Sequence, residues 1–427
     1  MMKNFNNNFL LFILVVKFFK VIGLAPYKLT ILLNPQSKLN GQQFLGQTSY
    51  SLLGLMYNLV MPLTSIPTLY FWLPEVRKKT ESSDTETQME AWREFFFGVT
   101  SHGTFIIIVL FCIVKQRVFI KVINRLFQFE KELADTLYNT INLPSGKLLL
   151  IFVFVTHLSA TVLNILTEFV AESKTITALD TILFIIPEFV IGNLVIQYAL
   201  ILIFLENRFK GLNKLLLSLV DTNSNESRCQ RFFRIMSDSY KDNVVKLIRY
   251  IRDAQRNLYE ISDDFSSCYS WPMLLSITYF AAGIIYSSYE LFQNITQSET
   301  NILVSINLAL WVIKTMIPIV TLTCCVTKII NEIEETSDTV YKILTIHAHD
   351  KGIKYELEQF SIELLHRDAS ITSCGVIPLD NSLLTSMETY SDKSNINWWK
   401  IFVFSGIVNW KNYSTDQVAH FEILLQL

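Results

Sequence analysis

Five ionisable residues lie inside otherwise apolar stretches of this sequence, and they are the first candidates for a chemical or binding role. They are His102, His157, Glu188, Lys314 and Asp380. Ionisable groups are expensive at membrane depth, so each is expected to face a partner, a ligand or water. Glu188 and Lys314 could pair with each other or bond to nearby backbone, and the histidines could bond to a neighbouring Ser or Thr. A binding role and a structural role both stay open.

Aromatic side chains form the second candidate set. Such rings offer flat apolar faces with a hydrogen-bonding tip, which suits a wet pocket that opens outward. Trp271 and Tyr289 are explained equally well by a membrane interface. The deeper Tyr279, Tyr286 and Trp311 are better pocket candidates, although core packing would also account for them. The predicted ligand pocket therefore contains His102, His157, Glu188, Tyr279, Tyr286 and Trp311.

Patterns typical of catalysis are scarce. The segment His347-Ala348-His349-Asp350 places two histidines at i and i+2, which on a helix point apart and form no metal-binding face. The sequence has no glycine-rich phosphate loop, nucleophile elbow or HExxH motif. Its 6 cysteines show no CxxC spacing. We expect no enzyme activity, no metal, no cofactor and no nucleic-acid partner.

Long apolar stretches must position these candidates. A helix needs about 20 mostly apolar residues to cross the hydrocarbon core of a bilayer. Hydrophobic residues make up 51% of the chain and charged residues only 17%, which is too little polar surface for a soluble protein of this size. The sequence therefore predicts a polytopic helical membrane protein. Six stretches qualify as spans: Phe44–Trp72, Phe95–Val114, Leu148–Thr167, Ile182–Leu205, Tyr269–Tyr289 and Ile302–Thr327.

Basic residues indicate which way the chain is threaded. If the first stretch leaves the cytoplasm and each later one crosses back, 27 of the 36 Lys and Arg fall on the side of the N-terminus. Cytoplasmic segments carry such an excess. We therefore expect a multi-pass protein of the plasma membrane with a cytoplasmic N-terminus. The sequon at Asn294 then falls outside and is a glycosylation candidate.

The chain is expected to form one transmembrane domain with a segment on each side. Residues 1–43 are assigned to a cytoplasmic amphipathic arm, because Lys17 and Lys20 interrupt an apolar run that could otherwise pass for a signal peptide. Residues 44–387 form the transmembrane domain. It includes cytoplasmic helical extensions at 206–268 and 328–372, whose apolar stripes could pack within one subunit or join subunits.

One motif pair resembles a known family. The run Gln359–Arg367 followed by Cys374–Leu384 closely resembles the segment leading into the seventh helix of insect gustatory receptors, where "QFSxxLLHR" precedes a cysteine-glycine pair and "PLDxxLL". The segment Gly23–Pro26 also resembles the family's N-terminal arm. The resemblance implies an all-α, seven-helix subunit that assembles as a homo- or heterotetramer around a central cation pore. It also implies a pore lined by Leu383, Leu384, Thr385, Ser386 and Met387.

The end of the chain departs from that family. The seventh helix normally closes with Thr-Tyr, five apolar residues and Gln-Phe, but here Thr389-Tyr390 is followed by polar residues. Residues 388–427 are therefore assigned to an atypical tail. We hypothesise that Glu388–Gln417 is foreign, for instance retained intron sequence, so that the last helix is truncated or interrupted. Ser373–Met387 alone is too short to span a bilayer.

The resemblance implies a gustatory receptor that acts as a subunit of a tastant-gated, non-selective cation channel in chemosensory neurons. Its expected partners are a small-molecule tastant, membrane lipid and other receptor subunits. A seven-helix G-protein-coupled receptor is one alternative, although that class keeps its N-terminus outside. A secondary transporter is another, but it predicts inverted repeats with discontinuous helices, and the sequence has no such correspondence.

Overall fold

The computed structural model describes residues 17–25, 27–33, 44–80, 85–137, 147–171, 185–219, 240–296, 302–347, 349–367 and 371–383. The fold is all-α, as predicted. Its main helices within these ranges are α1 (Leu52–Thr80), α2 (Thr85–Val114), α3 (Gln116–Leu137), α4 (Lys147–Ala171), α5 (Ile186–Leu217), α6 (Tyr240–Thr296), α7 (Ile302–Ile346) and α8 (Lys351–Leu365).

Membrane-length apolar helices are present as expected for a polytopic protein. Among the described residues, four helices are long and apolar enough to cross a bilayer: Phe95–Val114, Ile186–Leu217, Val244–Thr296 and Ile302–Ile346. The first and third predicted spans appear as the shorter apolar helical segments Leu52–Leu63 and Ile151–Thr167.

The first predicted span begins later than the sequence indicates. Residues Phe44–Tyr50 form strand β2, which pairs antiparallel with β1 (Tyr27–Leu33) from Tyr27↔Tyr50 to Leu33↔Phe44. The ladder satisfies the backbone groups of this segment, so the helix starts only at Leu52. Thr48 anchors the sheet, because its N–H and hydroxyl donate to Asn124 Oδ1 of α3 at 2.8 and 2.9 Å.

Helix α5 forms the centre of the bundle. Every residue from 190 to 200 is buried, and the helix packs mainly against α7 and α6. A helix that is apolar on all sides is expected to be enclosed by protein or lipid on all sides. Here neighbouring helices cover most of it, so α5 is the element against which the others are positioned.

The long helices continue beyond the apolar stretches and form a second packed region. The predicted stripe on α6 is buried, with Ile248, Ile251 and Leu258 each fully enclosed. On α8, Leu357 and Phe360 are also buried, whereas Leu365 is 83% exposed. Most of the stripe surface is therefore covered within one subunit.

The N-terminal arm is not separate from the bundle. Phe19, Leu24 and Ala25 are buried, and the Phe18 ring makes edge-to-face contacts with rings on α4 and α5. Asn58 of α1 donates its side-chain N–H to the carbonyl oxygen of Gly23 at 2.5 Å. Gly23 has φ +86°, a conformation that suits glycine. Residues 17–25 thus fill a space between α1, α4 and α5.

Replacing Asn58 tests how the arm is held. Asn58→Ala is expected to lower the free energy of unfolding by about 1–3 kcal/mol, because the buried Gly23 carbonyl loses its donor. Protease accessibility of residues 17–25 and thermal melting of the solubilised protein would measure this. Tyr57→Phe is the matched control, since the Tyr57 hydroxyl donates to Val21 at 2.6 Å at an exposed position. Equal losses of stability in the two variants would contradict the conclusion that the Asn58–Gly23 hydrogen bond holds the arm.

The last apolar run is divided rather than continuous. Strands β3 (Thr372–Ser373) and β4 (Ile377–Pro378) form a small hairpin, and its turn holds Cys374 and Gly375 at φ 55° and 68°. The following helix begins only at residue 381, and residues after 383 lie outside the described part of the chain. Asp380 accepts from the Ser382 N–H at 2.9 Å, so it caps this helix start. That Asp380 lies at membrane depth stays a prediction.

Candidate functional site

A cavity of about 180 Å³ lies within the bundle. Helices α2, α4, α5, α6 and α7 all contribute to its lining. Its aromatic walls are Phe97, Phe189, Phe280 and Trp311, and its polar lining is His157, Thr161, Asn164, Glu188, Lys314 and Thr315. A cavity with mostly apolar walls and a few converging polar groups is the usual form of a small-molecule site.

A buried ion pair forms one side of the cavity. Lys314 Nζ lies 2.8 Å from Glu188 Oε2, and the two side chains are 9% and 10% exposed. Lys314 also donates to Asn164 Oδ1 at 2.9 Å, and its ammonium lies 5.6 Å from the centre of the Trp311 ring. These contacts join α4, α5 and α7. The arrangement realises the pairing that sequence analysis gave as one alternative for Glu188 and Lys314.

An amide and hydroxyl network extends from this pair. Asn164 donates to Asn307 Oδ1 at 3.2 Å, and the Thr167 hydroxyl donates to the same oxygen at 2.9 Å. Sequence analysis missed Asn164 and Thr161 because neither carries a charge. Their spacing was an available signal, since His157, Thr161 and Asn164 recur at helical intervals and therefore share one face of α4.

Two polar side chains on the lining have unused hydrogen-bonding atoms. Both ring nitrogens of His157 and Glu188 Oε1 are buried without a hydrogen-bond partner among the described residues. Gly192 leaves room for the imidazole, since a Cβ at this position would lie 3.0 Å from His157 Cε1. Buried polar atoms without partners are costly. These atoms have almost no accessible surface, so a molecule in the cavity could reach them only after neighbouring side chains move.

The predicted pocket residues divide into three groups. His157, Glu188 and Trp311 line the cavity. Tyr279 and Tyr286 lie behind the lining residue Phe97. Their ring centres are 5.4 and 5.8 Å, respectively, from the centre of the Phe97 ring. His102 is buried elsewhere on α2, and its Nδ1 lies 3.0 Å from the carbonyl oxygen of Gly98, within its own helix. That any of these residues contacts a ligand stays a prediction.

Gly283 sets the position of Trp311 in the cavity wall. A Cβ on Gly283 would lie 2.7 Å from Trp311 Cη2, so Gly283→Ala must displace the indole. We expect a shift in tryptophan fluorescence and a loss of about 1–3 kcal/mol in the free energy of unfolding from overpacking. Gly103→Ala is the control, because no atom lies within 4 Å of a Cβ there. Identical spectra and melting for the two variants would contradict this placement.

Comparison with known proteins gives a consistent result. The family model described as "7tm Chemosensory receptor" matches residues 12–390. The solved structure of the insect olfactory receptor OR5 from Machilis hrabei matches with a TM-score of 0.57 and 12% identity, covering 91% of this chain and 97% of that one. The same receptor in complex with eugenol matches with a TM-score of 0.58 and 12% identity, covering 96% of each chain. No curated protein sequence matches this chain significantly.

Proposed function

This chain belongs to the 7tm chemosensory receptor family, and on that basis we propose that it is a gustatory receptor, a subunit of a tastant-gated, non-selective cation channel. The fold is that of an insect olfactory receptor, and the family is one of multi-pass membrane receptors rather than enzymes. The subtype, the cytoplasmic N-terminus and the location in the plasma membrane of chemosensory neurons are parts of the proposal.

The cavity between α2, α4, α5, α6 and α7 is the proposed tastant site. It is lined by aromatic rings together with polar side chains such as Thr161, Asn164 and Thr315, a combination that favours a small molecule. The similar receptor from Machilis hrabei was solved in complex with eugenol, a small molecule. That likeness supports a small-molecule ligand for this chain as well.

One observation carries the gating proposal: two helices that line the cavity, α6 and α7, also bond to the segment where the family's seventh helix starts. In this chain that helix begins at residue 381, after α8. On α7, Lys314 lines the cavity, and Thr327, about 20 Å further along the helix, accepts from the Asn381 N–H at 3.0 Å. On α6, Phe280 lines the cavity, and Ser270 bonds to the hairpin before the seventh helix, accepting from the Cys374 N–H at 2.5 Å. Movement of either helix would therefore displace the start of the proposed pore helix.

The proposed pore is the one that the resemblance in Leu383–Met387 implies. Leu383 is buried in the first turn of the helix, and Leu384, Thr385, Ser386 and Met387 lie outside the described residues. Apolar side chains at a constriction can close a pore by dewetting, while hydroxyls can interact with passing ions. A tastant opens such a pore only if the open state binds it more tightly.

Assembly into a tetramer is the proposed reason for an exposed apolar surface on α7, α8 and the hairpin. Tyr341, Tyr355, Leu365 and Val376 are 71%, 60%, 83% and 72% exposed. Exposed apolar groups in this region favour contact with other subunits, of the same or a related chain.

The proposed glycosylation site at Asn294 is only partly accessible. Its side chain is half-buried and donates to the Ser305 hydroxyl at 2.9 Å.

Expression of the full chain in cells with a calcium reporter tests the function. Sugars and bitter compounds should evoke calcium entry that depends on external calcium, and a tag placed before residue 44 should stain only after permeabilisation. A variant without Glu388–Gln417 tests whether that segment interrupts the last helix. If it does, the variant should give a larger calcium response than the full chain. A response that requires G-protein signalling, with no ligand-evoked current in excised membrane patches, would contradict the channel proposal.

A further inference from the structure

We propose that a cationic surface formed by Lys28, Arg117 and Lys121 binds the headgroups of anionic phospholipids in the leaflet beside the N-terminal arm. The inference goes beyond the proposed channel function, since it concerns how the subunit contacts the bilayer rather than what it senses. Three features carry it: the position of these cations at the ends of apolar segments, their lack of acidic partners, and the exposed apolar side chains among them.

Each of the three cations lies where an apolar segment meets the membrane boundary. Arg117 and Lys121 follow the span-length segment Phe95–Val114, and at about 1.5 Å per residue both lie within about 11 Å of its end. Lys28 of β1 pairs with Ser49 of β2, just before α1 begins at Leu52. Cations that flank apolar segments lie near the lipid headgroups. The two parts of the surface therefore share one level.

A contact between β2 and α3 brings these two parts together. The buried Thr48 donates its hydroxyl to the Ile120 carbonyl at 3.3 Å. Thr48 is adjacent to Ser49, the pairing partner of Lys28, and Ile120 is adjacent to Lys121. The cations therefore lie around one junction between the β1–β2 sheet and α3, rather than at unrelated places on the receptor.

Acidic residues are absent from this part of the sequence. The first acidic residue of the chain is Glu75, and none occurs from Phe95 to Phe129. Lys28, Arg117 and Lys121 are exposed, and none of them forms an ion pair with another described residue. Their charges are therefore available to an anion from outside the chain.

The acidic side chains that do contact α3 are already paired. Arg125 bonds to Glu260 and Asp264 of α6, and Glu130 bonds to Arg208 of α5. Both pairings join α3 to the bundle, so they lie on the sides of α3 that face α5 and α6. The outward side keeps its positive charge.

Exposed apolar side chains accompany the cations. Val114 and Val118 are 76% and 41% exposed beside Arg117, and Tyr50, at the end of β2, is 50% exposed. Apolar and basic side chains at one level suit the boundary between acyl chains and headgroups, where tyrosine is also common. A soluble anion would contact only the cations, whereas a phospholipid contacts both kinds of side chain. This combination favours a lipid.

Binding of short-chain lipids to the purified full chain in an uncharged detergent tests the proposal. Dioctanoyl phosphatidylserine should bind at least about tenfold more tightly than dioctanoyl phosphatidylcholine, since each cation near a membrane surface contributes about fivefold. Salt at about 1 M, where the Debye length is about 3 Å, should remove most of this preference. Equal binding of the two lipids at low salt would overturn the inference.

Two triple variants with the same loss of charge locate the site. Lys28→Gln/Arg117→Gln/Lys121→Gln should bind phosphatidylserine at least about tenfold more weakly than the wild type does. The control replaces with Gln three exposed lysines beyond the apolar stretch of α7 and on α8, namely Lys342, Lys351 and Lys354. It should keep the preference of the wild type. Equal weakening in the two triple variants would show a general effect of charge and would contradict the proposed surface.

Single variants and a cross-linker keep the test decisive if the triple variant does not fold. Lys28→Gln and Arg117→Gln lie on separate elements, and each should weaken phosphatidylserine about fivefold. A benzophenone side chain in place of Val118 should label phosphatidylserine in preference to phosphatidylcholine in a mixed bilayer. Labelling in the bulk ratio of the two lipids would contradict the proposal. No tastant or current enters these measurements, so the lipid site and the channel function fail independently.

Discussion

Lys314→Met is expected to lower the free energy of unfolding by about 3–5 kcal/mol, the usual loss when one member of a buried ion pair is removed. The variant leaves the Glu188 carboxylate, which is 10% exposed, without its cation. It also removes the bond from Lys314 to Asn164 that joins α7 to α4. Thermal melting of the detergent-solubilised protein, followed by size-exclusion chromatography, would measure the loss.

The double variant Glu188→Gln/Lys314→Met distinguishes the loss of the ion pair itself from the cost of leaving one buried charge unpaired. Because no unpaired charge remains, it should be more stable than either single variant, and it can approach the wild type. Losses that simply add would show that the two residues act independently. A double variant as stable as the wild type would mean that the pair is not needed for folding, which favours a role in selecting the ligand.

Asn213→Leu is expected to lower the free energy of unfolding by about 2–4 kcal/mol, because several buried hydrogen bonds are lost at once. Asn213 is 2% exposed on α5. Its amide donates to the Glu332 carbonyl of α7 at 2.7 Å, and its side-chain oxygen accepts from Gln255 of α6 at 3.0 Å. The Thr336 hydroxyl of α7 lies 2.7 Å from the same oxygen. Removing this side chain leaves buried partners unpaired where three helices meet.

Asn207→Leu is the matched control for this second prediction. Asn207 lies on the same helix, and its side chain donates to the Ile203 carbonyl within α5 at 2.6 Å. Because this hydrogen bond lies within one helix, the same substitution there is expected to cost less than about 1 kcal/mol. Thermal melting of the two variants side by side gives the comparison. Similar losses at both positions would show that helix propensity or solubility, rather than the hydrogen bonds among helices, determines the effect.

The two sites differ in what their loss should do to the receptor. Lys314 lies in the cavity wall, so its replacement should alter both stability and ligand preference. Asn213 lies beyond the apolar stretch of α5, where α5, α6 and α7 continue past the predicted spans. Replacing Asn213 should weaken the connection between the bundle and the proposed pore helix that begins at residue 381. Ligand binding should then change less than ligand-evoked current.

Local patterns in the sequence determined the helical class and the approximate helices. Hydropathy indicated the spans, since a bilayer demands long apolar segments whatever they contact. Helical periodicity predicted the α6 stripe, whose residues Ile248, Ile251 and Leu258 are buried. The seventh-helix motif identified the family from only a few residues. These features could be predicted because each depends on residues close together in the chain.

Only the tertiary structure decided which side chains meet. Phe44–Tyr50 is apolar enough to be counted with a span, yet it pairs with β1, and a partner strand cannot be read from the segment itself. His102 and His157 looked equivalent in the sequence, but only His157 faces the cavity. Lys314 and Glu188 are separated by 126 positions and become neighbours only through the packing of α5 against α7. Hydropathy specifies that a residue lies within the membrane, whereas the rotation of each helix against its neighbours specifies what that residue touches.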